Sequence, residues 1–190
     1  MKRLALSALL AAAFAAAPPA RAEEACKTVV LKNPAPTLSE IYSTAEKLAK
    51  AWKSDALPAR ISNTTLGPLQ PNGSSAMWNL NFYSPSADSY VGISTFRGSL
   101  TCSAQKGNAG RMPDLKPDFF RDGAALYAIA KSNAASALEE GYTVMIDTAA
   151  APSGGHATWN INFSKDKARN APITILVDAN TGKLEKVLKQ

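Results

Sequence analysis

The chain has 190 residues, 46% of them hydrophobic, with 21 Lys and Arg against 15 Asp and Glu for a net charge of +6. That length bounds it to one domain or two small ones. Setting aside Lys2, Arg3 and Arg21, which read as part of a leader, leaves 18 basic residues and a charge of +3. With no Lys/Arg cluster interleaved with aromatics, no nucleic-acid partner is expected.

Residues 1–22 have the form of a secretory signal peptide: a positive start at Lys2-Arg3, an apolar run from Leu4 to Ala17, and a small-x-small site at Ala20-Arg21-Ala22. The run falls short of the roughly 20 residues that span a bilayer, so no membrane span is expected in the mature chain, Glu23–Gln190. The leader has a bacterial style and implies a periplasmic or secreted protein. Cys26 lies close to the cleavage site, but Glu24 stands where a lipid-attachment box requires an aliphatic residue. The only other cysteine is Cys102, and two cysteines in an oxidising compartment most simply form a disulfide. Such a bridge contributes at most about 4 kcal/mol by restricting the unfolded chain.

An edge strand is expected at Thr28–Leu31, pinned by Cys26. Thr37-Leu38-Ser39-Glu40 is a capping box, and Leu38, Ile41, Tyr42, Ala45, Leu48, Ala49 and Trp52 follow at helical spacing, with Glu46, Lys47, Lys50 and Lys53 opposite. Pro58 ends that helix. Extended segments come next: Arg60–Leu66, then a period-two strand in which Ala76, Trp78, Leu80 and Phe82 alternate with Met77, Asn79, Asn81 and Tyr83. Val91, Ile93 and Thr95 mark a third strand. Ser103–Asp118 carries two Gly, two Pro and no periodicity, and reads as a linker. Asp118 is then the expected N-cap of a second helix through Leu126, Ile129, Ala130, Ala134 and Leu138, ending near Gly141. Strands are expected at Tyr142–Thr148, at Ala157–Phe163, where Trp159 and Ile161 alternate with Asn160 and Asn162, and at Ile173–Val177.

The second half therefore repeats the first. Trp78-Asn79-Leu80-Asn81-Phe82 returns 81 positions later as Trp159-Asn160-Ile161-Asn162-Phe163. The period is too long for a solenoid and implies a duplicated small unit. The expected fold class is α+β, two tandem helix–strand–strand–strand repeats with one helix packed on each antiparallel sheet. The expected boundaries are 23–102 for the first repeat, 103–117 for the linker and 118–190 for the second.

Within the second copy, Ala157-x-Trp159-x-Ile161-x-Phe163 followed by Ile173-x-Ile175-x-Val177-Asp178-Ala179-x-Thr181-Gly182-Lys183-Leu184 resembles the PepSY family. The first copy departs from it, with Ile93-Ser94-Thr95-Phe96-Arg97-Gly98-Ser99 in place of the Val177–Lys183 turn. The resemblance implies small exported α+β, cystatin-like modules that restrain secreted peptidases or serve in the cell envelope, with no catalytic residues.

Candidate sites are few. Asp178-Ala179-Asn180-Thr181-Gly182 opens like a calcium loop, but position 12 would be Lys189 instead of the required Glu, and the hairpin-turn reading is preferred. His156, the only histidine, has no Cys or carboxylate close by in sequence, so no metal site and no cofactor is expected. Nucleophile-elbow and phosphate-loop motifs are absent, and no enzymatic activity is expected. Asn79, Asn81, Asn160 and Asn162 are the residues chosen as a binding surface, because Asn is disfavoured in strands and both copies place two on the face opposite the Trp row. The alternative, a solvated face inherited by duplication, stays open. The expected function is an exported, non-enzymatic binding protein, inhibiting or regulating another envelope or secreted protein. The rival reading is a small-molecule or ion binder with its ligand held between the repeats. Oligomeric state is not readable from the sequence.

Overall fold

The first helix, α1 (Leu38–Trp52), starts where its capping box requires. The Thr37 hydroxyl accepts from the Glu40 amide at 3.3 Å while the Glu40 carboxylate accepts from the Thr37 amide at 2.7 Å. The computed structural model describes residue 26 and residues 29–106, 115–151, 154–165 and 169–189. The signal peptide expected at 1–22 lies outside the described residues, and so does the middle of the expected linker, 107–114.

After α1 come β1 (Leu57–Asn63), β2 (Trp78–Ser84), β3 (Ser89–Phe96) and β4 (Ser99–Lys106). The second half supplies α2 (Gly123–Asn133), the short α3 (Ala135–Glu139), β5 (Thr143–Ala150), β6 (Ala157–Lys165), β7 (Arg169–Asp178) and β8 (Leu184–Lys189). All eight strands form one antiparallel sheet in the order β4-β3-β2-β1-β5-β6-β7-β8.

This overturns the expected fold of two tandem helix–strand–strand–strand repeats, each helix on its own sheet. Three physical facts account for the difference. First, β1 and β5 pair antiparallel through Ser62 and Asp147, so the chain closes two exposed sheet edges against each other. Secondly, each half carries a fourth strand. The outer strand β8 has no buried apolar row, while β4 alternates only weakly, with Leu100, Cys102 and Ala104 half-buried between exposed polar residues. Thirdly, the halves share a core: the Tyr42 ring from α1 sits 5.8 Å from Phe82 and 5.0 Å edge-on from Phe119, which in turn lies 6.1 Å from Trp159. Arg121 lies 4.6 Å over the Tyr42 ring and 5.2 Å over Phe119. Burial and the neighbouring Glu46 push the Tyr42 hydroxyl above its usual range, so it stays neutral inside that stack.

The two tryptophans anchor this core. Both are fully buried; Trp78 Nε1 donates to Pro36 O at 2.9 Å and Trp159 Nε1 to Phe120 O at 2.8 Å. Each indole thus satisfies its polar atom on the segment that leads into a helix, fixing helix against sheet.

The seam between β1 and β5 is held largely by side chains. The Ile61 amide donates to Thr148 Oγ1 at 2.9 Å, and the Ile146 amide donates to Asn63 Oδ1 at 2.7 Å. Asn63 Nδ2 donates in turn to Gly67 O at 3.0 Å and Val144 O at 3.4 Å. Asn63 and Thr148 are both buried, so these polar groups are paired because nothing else could satisfy them there.

Two further expectations are corrected. Helix α2 is capped by Asp122, whose carboxylate accepts from the Ala125 amide at 3.0 Å, and not by Asp118. Phe119 is drawn into the core and the Phe120 amide donates to Ala179 O at 2.8 Å, which holds those residues extended until Gly123. Gly123 is needed there: a Cβ on it would lie 2.7 Å from Gly73 O, while Gly73 itself has φ +77°. The helix also breaks at Ala134 before α3. At the N-terminal side, Val29–Leu31 form no strand, Val30 is exposed, and β4 takes the sheet edge assigned to them. Cys26 and Cys102 are joined as expected, with Cα atoms 5.8 Å apart, which ties residue 26 to β4. That pairing is compatible with an oxidising, exported setting. No described helix is long and apolar enough to cross a membrane.

Candidate functional site: the polar face of the sheet

Alternation in β2 and β6 puts Trp78, Leu80 and Phe82, and Trp159, Ile161 and Phe163, into the core beneath the helices. The same alternation puts Asn79, Asn81, Asn160 and Asn162 on the opposite face, each half-buried. Cross-strand register extends the polar row from β3 to β6, where Asn160 meets the buried Leu176 of β7. Asn79 lies opposite Ser94 on one side and Ser62 on the other; Ser62 lies opposite Asp147, and Asp147 opposite Asn160. A second row places Asn81 between Gly92 and Arg60, and Asn162 between Met145 and Thr174. The structure therefore brings all four chosen asparagines onto one face, two on each side of the central seam.

Their hydrogen bonds show which atoms remain available. Asn79 Oδ1 accepts from Ser94 Oγ at 2.8 Å, and Asn160 Oδ1 from Thr158 Oγ1 at 3.2 Å. Asn162 is used at both ends, accepting from Thr174 Oγ1 at 2.9 Å and donating to Asp147 Oδ1 at 3.3 Å. Asn81 makes no side-chain hydrogen bond among the described residues, although a Cβ on its neighbour Gly92 would sit 3.1 Å from its Oδ1. The amide N–H groups of Asn79, Asn81 and Asn160 thus have no partner among the described residues, and form a spaced set of donors.

Asp147 is the charged centre of this face and escaped the sequence reading, because one Asp in a strand has no periodic signature. Burial pushes its carboxyl above the usual range, and the Arg60 guanidinium, 3.9 Å away, pulls it only part of the way back. In the unfolded chain the group titrates near 3.8. Below that pH both states hold the proton; as pH rises through the higher folded value, the fold alone bears the cost of a desolvated charge. Asp147→Asn keeps the acceptor for Asn162 and is expected to raise Tm at pH 7, with the gain vanishing at pH 3. Thermal unfolding of both proteins at the two pH values checks this.

The second polar cluster lies at the corner where β6, β7 and β8 meet. His156 Nε2 and Glu185 Oε1 are 2.6 Å apart, and Asp178, the cross-strand partner of Thr158, completes a group whose ligand atoms all lie within 4.8 Å of one another. Asp178 Oδ1 accepts from the amides of Asn180 at 2.9 Å and Thr181 at 2.7 Å, and Gly182 has φ +74°. Residues 178–182 therefore form the hairpin turn expected of them. Burial would raise the Asp178 carboxyl, but the bonds from Thr181 and Asn180 and the nearby His156 outweigh it and hold the carboxyl below the usual range. The sequence separations of 22 and 7 residues match no ligand motif, so only the fold could reveal this convergence.

On the helix side a shallow groove of about 450 Å³ opens between Pro71, Tyr127, Lys131 and Leu138. It contains none of the four asparagines, and its charged lining is Lys131 and Glu139.

No protein-family profile, no curated protein and no solved structure matches this chain.

Proposed function

We propose that this is an exported, non-enzymatic binding protein whose polar sheet face docks another envelope or secreted protein, as an inhibitor or regulator. The observation that carries the reading is the division of labour between the two sides of one sheet. One side is sealed by α1 and α2 around the tryptophans. The other presents amides and hydroxyls from β2, β3, β6 and β7, several with donors unspent. Asn costs strand stability, and four of them on one face, each half-buried, are better accounted for by recognition than by folding. The resemblance to PepSY modules adds an exported, restraining role to the same reading, and it rests on the motif residues of β6 to β8 alone. The outer edges suit strand addition less well, because β8 carries Lys186 and Lys189 and β4 ends in Lys106. For the rival reading, a ligand held between the halves, the seam is crossed by hydrogen bonds that Asn63 and Thr148 make.

A photo-crosslinking residue at Asn81 is expected to capture a single protein in the exported fraction. Asn79→Lys with Asn160→Lys should reduce that capture at least tenfold, on the order expected for like-sized interface disruptions, while Tm stays close to wild type. Equal capture by the double variant would remove the face from the account.

A further inference from the structure

We propose that His156, Asp178 and Glu185 form a binding site for a divalent transition cation of the zinc type. Among the described residues they are the only group of three with metal-ligand atoms this close together. One imidazole with two carboxylates is a donor set that such cations accept, in contrast to the all-oxygen sets of calcium and magnesium.

The geometry is close to what coordination needs. Ligand atoms around a tetrahedral zinc lie about 3.3 Å apart, given bonds of about 2.0–2.1 Å. The His156–Glu185 pair, at 2.6 Å, must open slightly, and the widest separation, 4.8 Å, must close. Both movements are open to side chains whose exposures are 34% and 29%. The backbones that carry the ligands are fixed. Ala151 N donates to His156 O at 3.0 Å, Asp178 N donates to Lys183 O at 2.8 Å, and Ala179 N donates to Ala157 O at 2.9 Å. Asp178 is oriented further, because its Oδ1 accepts from the Asn180 and Thr181 amides. This is the outer-shell support that ligating carboxylates require. Three protein ligands leave a fourth position for water or a group brought by another molecule. The site does not depend on the Asn-lined face serving as a docking surface.

Because His156 is the only histidine, its imidazole resonances report on the site without ambiguity. The test uses the full mature chain without an affinity tag, titrated with Zn²⁺ and followed by calorimetry and by imidazole ¹⁵N NMR. One Zn²⁺ per chain with a shifted His156 Nε2 resonance is expected. His156→Gln and Glu185→Gln should each weaken binding at least tenfold, as should Asp178→Asn, which keeps the turn's acceptor. Zn²⁺ binding that leaves the His156 resonance unmoved, or variants that bind as tightly as wild type, would overturn the proposal. Equal affinity for Ca²⁺ and Zn²⁺ would overturn the zinc-type assignment.

Discussion

Trp159→Ala is expected to lower stability by about 3–5 kcal/mol, the range for emptying a large aromatic site in a core that cannot fully collapse. The indole is fully buried, contacts Phe119 with ring centres 6.1 Å apart, and donates to Phe120 O at 2.8 Å. Its removal leaves a void beneath the sheet and a backbone carbonyl without its donor. Against a typical total of about 5–15 kcal/mol, this is a large fraction. Urea unfolding should show the midpoint falling by about 2 M, with the slope unchanged if the folded state keeps its compactness. Trp159→Phe keeps a six-membered ring but loses the fused five-membered ring with its N–H, so a smaller void adds to the about 1–3 kcal/mol of the orphaned carbonyl and the total should fall below that of Trp159→Ala. Trp78→Ala should behave alike, because Trp78 is equally buried and donates to Pro36 O at 2.9 Å. A loss below about 1 kcal/mol at either position would mean the shared aromatic core is not what holds helices to sheet.

The second large effect is expected at the seam. Asn63→Leu removes one acceptor and two donors at once; it strands the Ile146 amide in a buried place, while Gly67 O keeps its bond from Ser75 Oγ and Val144 O its bond from the Leu69 amide. An unsatisfied buried amide costs about 1–3 kcal/mol, and a loss in that range is expected. The structural signature is as diagnostic as the magnitude. Amide exchange should accelerate at Ile146 and Ile61, on either side of β1–β5, before it does at Ile93 or Ile175 in the interiors of the two halves. Asn63→Asp provides a pH-dependent control. The carboxylate still accepts from the Ile146 amide but cannot donate, and its burial favours the protonated form. Its folded pKa is therefore raised, so stability present at low pH is lost as pH rises, and the variant should be less impaired at pH 4 than at pH 7. Uniform exchange across the sheet in Asn63→Leu would show that the seam is no weaker than the strands around it.

These two sites divide along the line between what a linear reading can and cannot find. Trp78 and Trp159 stood out because alternation along a half-buried strand and helical spacing along α1 are local patterns, written into neighbouring residues. The capping box at Thr37, the turn at Asp178–Gly182, the pairing of Cys26 with Cys102 and the placement of the four asparagines opposite the tryptophans are local, or follow from counting. Asn63, Thr148 and Asp147 gave no such signal. A buried polar residue is chosen by a partner 80 or more positions away, and nothing near it in sequence names that partner.

The same distinction explains the error in architecture. Internal repetition showed that the halves were built alike, but each half alone leaves an inner strand edge and part of an aromatic core uncovered. Whether such edges stay apart or pair with each other depends on long-range packing between Tyr42, Phe119 and Trp159, and on the fit of Gly73 against Gly123. The outer strands were missed for a related reason: β8 buries too little to need an apolar row, and in β4 the alternation of Leu100, Cys102 and Ala104 is short and only half-buried. By itself, then, the amino-acid order determined the first helix, the presence of a second though neither its cap nor its break at Ala134, the inner strands, their buried faces and the amide-bearing face, because those obey periods of 3.6 and 2 residues. Tertiary structure alone decided that eight strands make one sheet, that two halves share one core, and that His156, Asp178 and Glu185 meet. Those outcomes are contacts between distant segments, where free energy depends on shape and pairing that no local period encodes.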